Sequence, residues 1–154
     1  MRLLEGEERK EAQHFLEIAA NVAKNSTCRK SQRGVIIVKN GKIVGKGNNN
    51  TTIEKLCDYP CALEREIREP NLCPVVHAEE YAILNTERCD LEGSRMYHIK
   101  VKDGKIKPSG EPSCTRCSPF VLASGISEFV LLHEEGPTVY TAQEFNEKTF
   151  QHYL

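Results

Sequence analysis

The chain has 154 residues, 39% of them hydrophobic, enough to bury one core without internal repeats or a second module. Lysine plus arginine number 21 against 22 aspartate plus glutamate, so no overall field draws the chain onto nucleic acid or an anionic membrane, and a small or locally recognised partner is expected. The N-terminal MRLLEGEERKEAQHF is charged and no stretch approaches the roughly 18 to 20 apolar residues that span a bilayer, which predicts a soluble, cytoplasmic domain covering 1–154.

Phe15, Leu16, Ile18, Ala19, Val22 and Ala23 recur among charges at helical spacing, predicting a first helix over 5–25. GVIIVKNGKIVGKG (34–47) carries two β-branched runs around Asn-Gly, the strongest short-range hairpin signal in the chain. Residues 48–75 are polar, with prolines at 60, 70 and 74, and read as an irregular insertion broken by a short helix near ALEREIRE. A loop of that length calls for a function or a staple. A helix is predicted over 76–87, a strand over 94–101, a turn at KDGK, a helix over CTRCSPFVLASG stopped by Gly125, and a strand over 128–132. The last helix starts at Thr141, where TAQE has the form of a capping box. The order is that of a layered α/β domain.

Seven cysteines (28, 57, 61, 73, 89, 114 and 117) in a reducing compartment point to metal binding rather than disulfides. HAE at 77–79 and EPSCTRC at 111–117 combine as H-x-E followed by P-x-C-x-x-C. One imidazole and two thiolates suit zinc and leave a fourth tetrahedral position open, the catalytic arrangement. Glu79 is not needed as a ligand and has the chemistry to move protons beside the metal. The competing reading is a closed structural zinc, or core cysteines with a helix-surface acid. Placing Cys114 and Cys117 on the first turn of a helix would favour their thiolates.

With these motifs the sequence resembles the zinc-dependent cytidine and deoxycytidylate deaminase superfamily, whose H-x-E and P-C-x-x-C signature serves this chemistry. The likeness extends through STCRKSQRGVIIVKNGKIVGKGNNN (26–50), which is similar to the turn, first strand and hairpin of the deoxycytidylate branch. It implies a three-layer α/β/α sandwich with a central five-stranded mixed sheet, the fifth strand near Thr138 to Tyr140. It also implies hydrolytic attack at C4 of a cytosine ring, with zinc on His77, Cys114 and Cys117 and with Glu79 protonating N3 and then the departing ammonia. Asn49 would contact base or sugar, and the Ala78 backbone the pyrimidine carbonyl. The substrate implied first is dCMP, with cytidine, cytosine, guanine or a nucleic-acid base as alternatives beside a non-catalytic zinc-stabilised module, and a homo-oligomer is implied. Two departures bear on substrate identity: Gly47-Asn48-Asn49-Asn50 stands where Gly-Tyr-Asn-Gly is usual, and Ser113 replaces the proline directly before the first thiolate.

The resemblance also implies a second, structural zinc on Cys28, Cys57, Cys61 and Cys73, which would order the polar insertion. An unligated loop is the alternative. Arg29, Lys30 and Arg33 could give a nucleotide phosphate charge-assisted hydrogen bonds or simply form a solvated turn. Cys89 reads as a buried core thiol. His14, His98, His133 and His152 lack partners at ligand spacing and read as surface or satisfied core histidines.

Overall fold

The computed structural model of the protein describes residues 1–28, 30–57, 61 and 73–154. Among these, β1 (Arg2–Leu3) precedes α1 (Gly6–Ala23), then come β2 (Gln32–Lys39), β3 (Lys42–Asn48), β4 (Asn50–Thr51) and β5 (Val75–Val76). The chain continues through α2 (Ala78–Leu84), α3 (Arg88–Leu91), β6 (Arg95–Lys102), β7 (Lys105–Lys107), α4 (Cys117–Ala123), β8 (Glu128–His133), β9 (Gly136–Thr141) and α5 (Ala142–Phe150). The helix expected near ALEREIRE lies outside the described residues.

One mixed sheet runs in the order β1-β9-β8-β6-β2-β3, with β7 continuing the β8 edge of β6. The β6–β8 pair is parallel and the other pairs are antiparallel. Its five long strands, β2, β3, β6, β8 and β9, are those expected, and β9 is the fifth strand anticipated near Thr138 to Tyr140. The short edge strands β1 and β7 were not anticipated: two or three residues carry no readable alternation. The β2–β3 hairpin closes through Asn40 (φ 50°) and Gly41 (φ 75°), both left-handed as a two-residue primed turn requires.

Each face of the sheet carries its own core, which is why Val35 to Val38 are all buried. On one face α1 lays Ala12, Phe15, Leu16 and Ala19 against Ile36, Tyr97, Ile99 and Val101. On the other, Ala78, Ala82, Val121 and Phe145, from α2, α4 and α5, cover Val35, Ile37, Met96 and Phe129. Phe129 and Phe145 stack with ring centroids 3.9 Å apart, fixing α5 to β8. Helices on both sides of a mixed sheet make the expected three layers. The Thr141 capping box forms as read: Glu144 N–H donates to Thr141 Oγ1 at 3.0 Å and Thr141 N–H to Glu144 Oε2 at 3.0 Å.

Two helix starts differ from expectation, and both differences shape the site. Val75 and Val76 pair with Thr51 and Asn50, so the second helix begins at Ala78 and leaves His77 at its N-cap. Cys114 lies three residues before α4 rather than on its first turn, because residues 115–116 form a turn and Cys117 N–H is directed at Cys114 Sγ, 3.2 Å away. Only Cys117 is on the helix.

The helix carrying His77 and Glu79 rests directly on β3 backbone. A Cβ on Gly47 would lie 2.3 Å from Ala82 N and 2.5 Å from Ala78 O, with no flexible side chain to yield. Gly47→Ala is therefore expected to push α2 off the sheet, costing about 1–3 kcal/mol from overpacking and most of the activity. Thermal melting and a turnover assay together check this; a variant with parental melting temperature and rate contradicts the packing.

Candidate active site

The metal-binding triad assembles from two helix starts that face each other. His77 Nδ1 lies 3.1 Å from Cys117 Sγ and 3.4 Å from Cys114 Sγ. All three donor atoms fall within 4.8 Å of one another, and no other group of three or more histidine, cysteine or acidic side chains does so among the described residues. Tetrahedral zinc with N and S bonds of about 2.1 and 2.3 Å needs an N···S separation of about 3.6 Å. The observed separations are within half an ångström of it, and the borderline-soft donor set matches zinc. His77 and the two cysteines therefore fit the ion with only small adjustments.

The electrostatics are those of a site organised for a dication. A hydrogen bond from Cys117, then one from His77 and the Cys117 N–H, pulls the Cys114 thiol down to about 5 despite its burial. Cys117 is driven the opposite way by that same hydrogen bond and by burial, so without metal the pair shares one negative charge. The Cys114 thiolate in turn raises His77 above its ordinary value. A metal ion stabilises both thiolates and neutral imidazole together, resolving this competition.

Glu79, next to the triad on the first turn of α2, is buried and lines the same cavity of about 270 Å³. That volume is near the lower end of the roughly 300–1,000 Å³ typical of small-molecule pockets. Ala78 also lines the cavity, and as the first residue of a helix its N–H has no intrahelical acceptor. Phe129, Leu131 and Phe145 are the large apolar side chains of the cavity lining.

Asn49 lines the pocket but spends much of its amide on the preceding turn. Its Oδ1 accepts from Arg33 N–H at 2.8 Å and Ser26 Oγ at 2.6 Å, and its Nδ2 donates to Ser31 O at 2.7 Å. It thereby holds Lys30 and Arg33 on the cavity wall. Burial lowers the Arg33 guanidinium from its ordinary value, opposed by the charges of Glu79, Cys28 and Cys114. Arg29 lies outside the described residues.

The remaining cysteines are less concentrated than expected. Cys28 and Cys73 reach the pocket wall, and Cys57 and Cys61 are half-buried, but none joins a group of three or more metal-binding side chains among the described residues. Cys89 is exposed, not a core thiol: it sits on the short α3 and its carbonyl accepts from Lys39 Nζ at 2.8 Å.

Three residues at the site were missed in the sequence. His98, read as a surface or satisfied core histidine, lines the pocket with Nε2 3.9 Å from Glu79 Oε1 and Nδ1 3.4 Å from Ser109 Oγ. Burial, then the positive charge of Arg33, holds it neutral, near 3. A histidine at an inward position among the apolar residues Met96, Tyr97 and Ile99 was the available signal. Glu80 accepts from His77 N–H at 2.9 Å and forms a bidentate pair with Arg116, Nε to Oε1 at 2.6 Å and Nη2 to Oε2 at 2.7 Å. Burial raises the Glu80 carboxyl, but Arg116 and His77 N–H outweigh it and leave it below its ordinary value. Arg116 lies between the two cysteines, so this pair ties the CxxC turn to the H-x-E helix.

Because the Arg116 side chain is half exposed, the pair should stabilise the fold by less than about 1 kcal/mol. Its orienting effect should be larger. Arg116→Ala is expected to change the melting temperature little yet weaken metal affinity about 10- to 100-fold. Competition with a chromogenic chelator measures this, and an unchanged affinity contradicts the role.

Known proteins match this chain in sequence and in fold. A family model, the cytidine and deoxycytidylate deaminase zinc-binding region, matches residues 9–133. A deoxycytidylate deaminase of Mycobacterium phage D29 is 30% identical over 127 residues, which is 77% of this chain and 91% of that protein. A deoxycytidylate deaminase of Schizosaccharomyces pombe is 27% identical over 123 residues, 76% of this chain and 35% of its own length. Among solved structures, a dCMP deaminase from the cyanophage S-TIM5 in apo form superposes with a TM-score of 0.53 at 21% identity, covering 78% of this chain and 80% of that one. A cytidine deaminase from Burkholderia pseudomallei gives a TM-score of 0.54 at 16% identity, covering 86% and 94%.

Proposed function

The chain belongs to the cytidine and deoxycytidylate deaminase family, and from that premise we propose that it is a zinc-dependent hydrolase converting dCMP to dUMP and ammonia. The observation that carries this reading is Glu79: a buried carboxylate that is not part of the metal-binding triad yet shares its cavity. A closed structural site has no use for such an acid. The phage and yeast relatives named deoxycytidylate deaminase direct the choice of nucleotide.

His77, Cys114 and Cys117 would hold zinc, which when bound supplies the Lewis acidity that makes a water nucleophilic at neutral pH. The chain's own residues do the rest. Glu79 would accept one proton from the attacking water and deliver it to N3 of the cytosine ring, then take the second from the new C4 hydroxyl as it becomes the carbonyl and pass it to the amine, which leaves as ammonia. His98, neutral and 3.9 Å from Glu79, borders the carboxylate without adding a competing charge. Ala78 N–H meets the pyrimidine carbonyl, and the apolar side chains of Phe129, Leu131 and Phe145 exclude bulk water from the ring. Asn49 fixes the turn that sets Arg33 and Lys30 beside the nucleotide phosphate.

A second zinc on Cys28, Cys57, Cys61 and Cys73 is part of the same proposal. Cys28 and Cys73 share the pocket wall, which supports the idea that an ion there would order the insertion next to the substrate. The test of the central reading is metal depletion. Dialysis against a strong chelator should abolish ammonia release from dCMP, and zinc should restore it; undiminished turnover by metal-free protein overturns the proposal.

A further inference from the structure

Beyond the pocket, the sheet carries an unusual row of cations. In the β2–β6–β7 register Arg33 is opposite Lys100 and Lys100 is opposite Lys107, so the three share one face across adjacent strands. That is the zinc face, since Arg33 and His98 line the cavity and Lys100 stands two residues beyond His98 on β6. Residues two apart on a strand share a face about 6.8 Å apart, so Lys100 stands on the cavity's face directly across from Arg33, whose charge acts on it. Lys102 and Lys105 form a second directly opposed pair on that face.

Arg33 faces the charges of Glu79, Cys28 and Cys114, but the lysines of the row lack such partners within the described residues. None of Lys100, Lys102, Lys105 and Lys107 has an ion pair or side-chain hydrogen bond there, and all of β7 is exposed. The positive charge of Arg33, then desolvation and Lys102, lowers the Lys100 ammonium from its ordinary value, so the cations crowd one another. Like charges directly opposed across strands destabilise a sheet. A chain whose net charge is only −1 has concentrated cations where folding disfavours them. Of the two carboxylates on the cavity wall, Glu79 stands at the reacting end; the other is Glu111.

We propose that Arg33, Lys100 and Lys107 form the subsite for the 5′-phosphate of the substrate and make the enzyme select nucleotides over nucleosides. The inference rests on the deaminase reading above and adds the two lysines that set its substrate class. The base enters toward Glu79 and His98, and the phosphate remains at the mouth, bridging β2, β6 and β7. Three strands spaced about 4.8 Å apart give a cationic row about 10 Å wide.

The test compares kinetics with dCMP and deoxycytidine in Lys100→Gln/Lys107→Gln and in a charge-matched control, Lys42→Gln/Lys46→Gln, on the exposed face of the other hairpin. The lysine-row variant should raise KM for dCMP about 10- to 100-fold, the effect of one charged hydrogen bond. Its kcat, and its KM for deoxycytidine, should not change, and the control should match the parent. The proposal is overturned if both substrates shift alike, if dCMP is unaffected, if the control behaves as the row variant does, or if only a cytosine-containing oligonucleotide responds. Should the parent turn over neither compound, the deaminase reading fails separately. Calorimetric titration with inorganic pyrophosphate then decides the subsite: binding by the parent that weakens at least tenfold in the variant supports it, and equal or absent binding refutes it.

Discussion

Glu79→Ala is expected to retain zinc and the parental melting temperature while losing about 100- to 10,000-fold in turnover of dCMP, the range that positioned acid–base catalysis contributes. The expectation follows from where the carboxylate sits. It is one turn-step from His77 on α2, buried in the cavity, and outside the group of donor atoms that can hold a metal. Removing it leaves His77, Cys114 and Cys117 with the same mutual distances, so metal content is preserved while proton movement is lost. If the variant lost zinc in proportion to activity, Glu79 would be a ligand or a structural prop instead. Glu79→Gln should be equally slow, because an amide keeps the shape and hydrogen bonding but cannot carry the proton.

Cys117→Ser should abolish activity and lower zinc content by one ion per chain. Cys117 is fully buried as the first residue of α4, its Sγ is 3.1 Å from His77 Nδ1, and its N–H is directed at Cys114 Sγ. Serine keeps the volume and the backbone contact but offers zinc a hard, protonated hydroxyl in place of a thiolate. Elemental analysis separates the two proposed sites. A parent with two zinc ions per chain and a variant with one supports both the catalytic triad and the four-cysteine site. A variant that keeps all its zinc contradicts the role of Cys117.

Much of this architecture was legible because the strongest signals were local. Asn40-Gly41 marked a hairpin through its turn geometry, Thr141-x-x-Glu144 marked a helix start through its caps, and H-x-E with C-x-x-C marked a metal site through ligand spacing. The residues that escaped notice are placed by tertiary register. His98 has no partner nearby in sequence, and reaches Glu79 only because β6 runs beside the helices that carry the triad. Glu80 and Arg116 meet across 36 positions, and neither looks special without the other. C-x-x-C followed by an apolar run looks helical throughout, which places Cys114 on a helix. The structure instead begins the helix at Cys117, where Cys114 Sγ takes up a first-turn N–H. Cys89 failed for a simpler reason: burial tendencies of free cysteine are averages, and α3 exposes this one. Lys100 and Lys107 become neighbours only once β7 folds back along β6.

The most direct measurement is steady-state ammonia release by the zinc-loaded protein on a panel of dCMP, deoxycytidine, cytidine, cytosine and guanine. The account predicts that dCMP has the highest kcat/KM, with one dUMP formed per ammonia released and deoxycytidine handicapped chiefly in KM. Turnover of a free base or nucleoside in preference to dCMP, or no ammonia from any of the five, would contradict it.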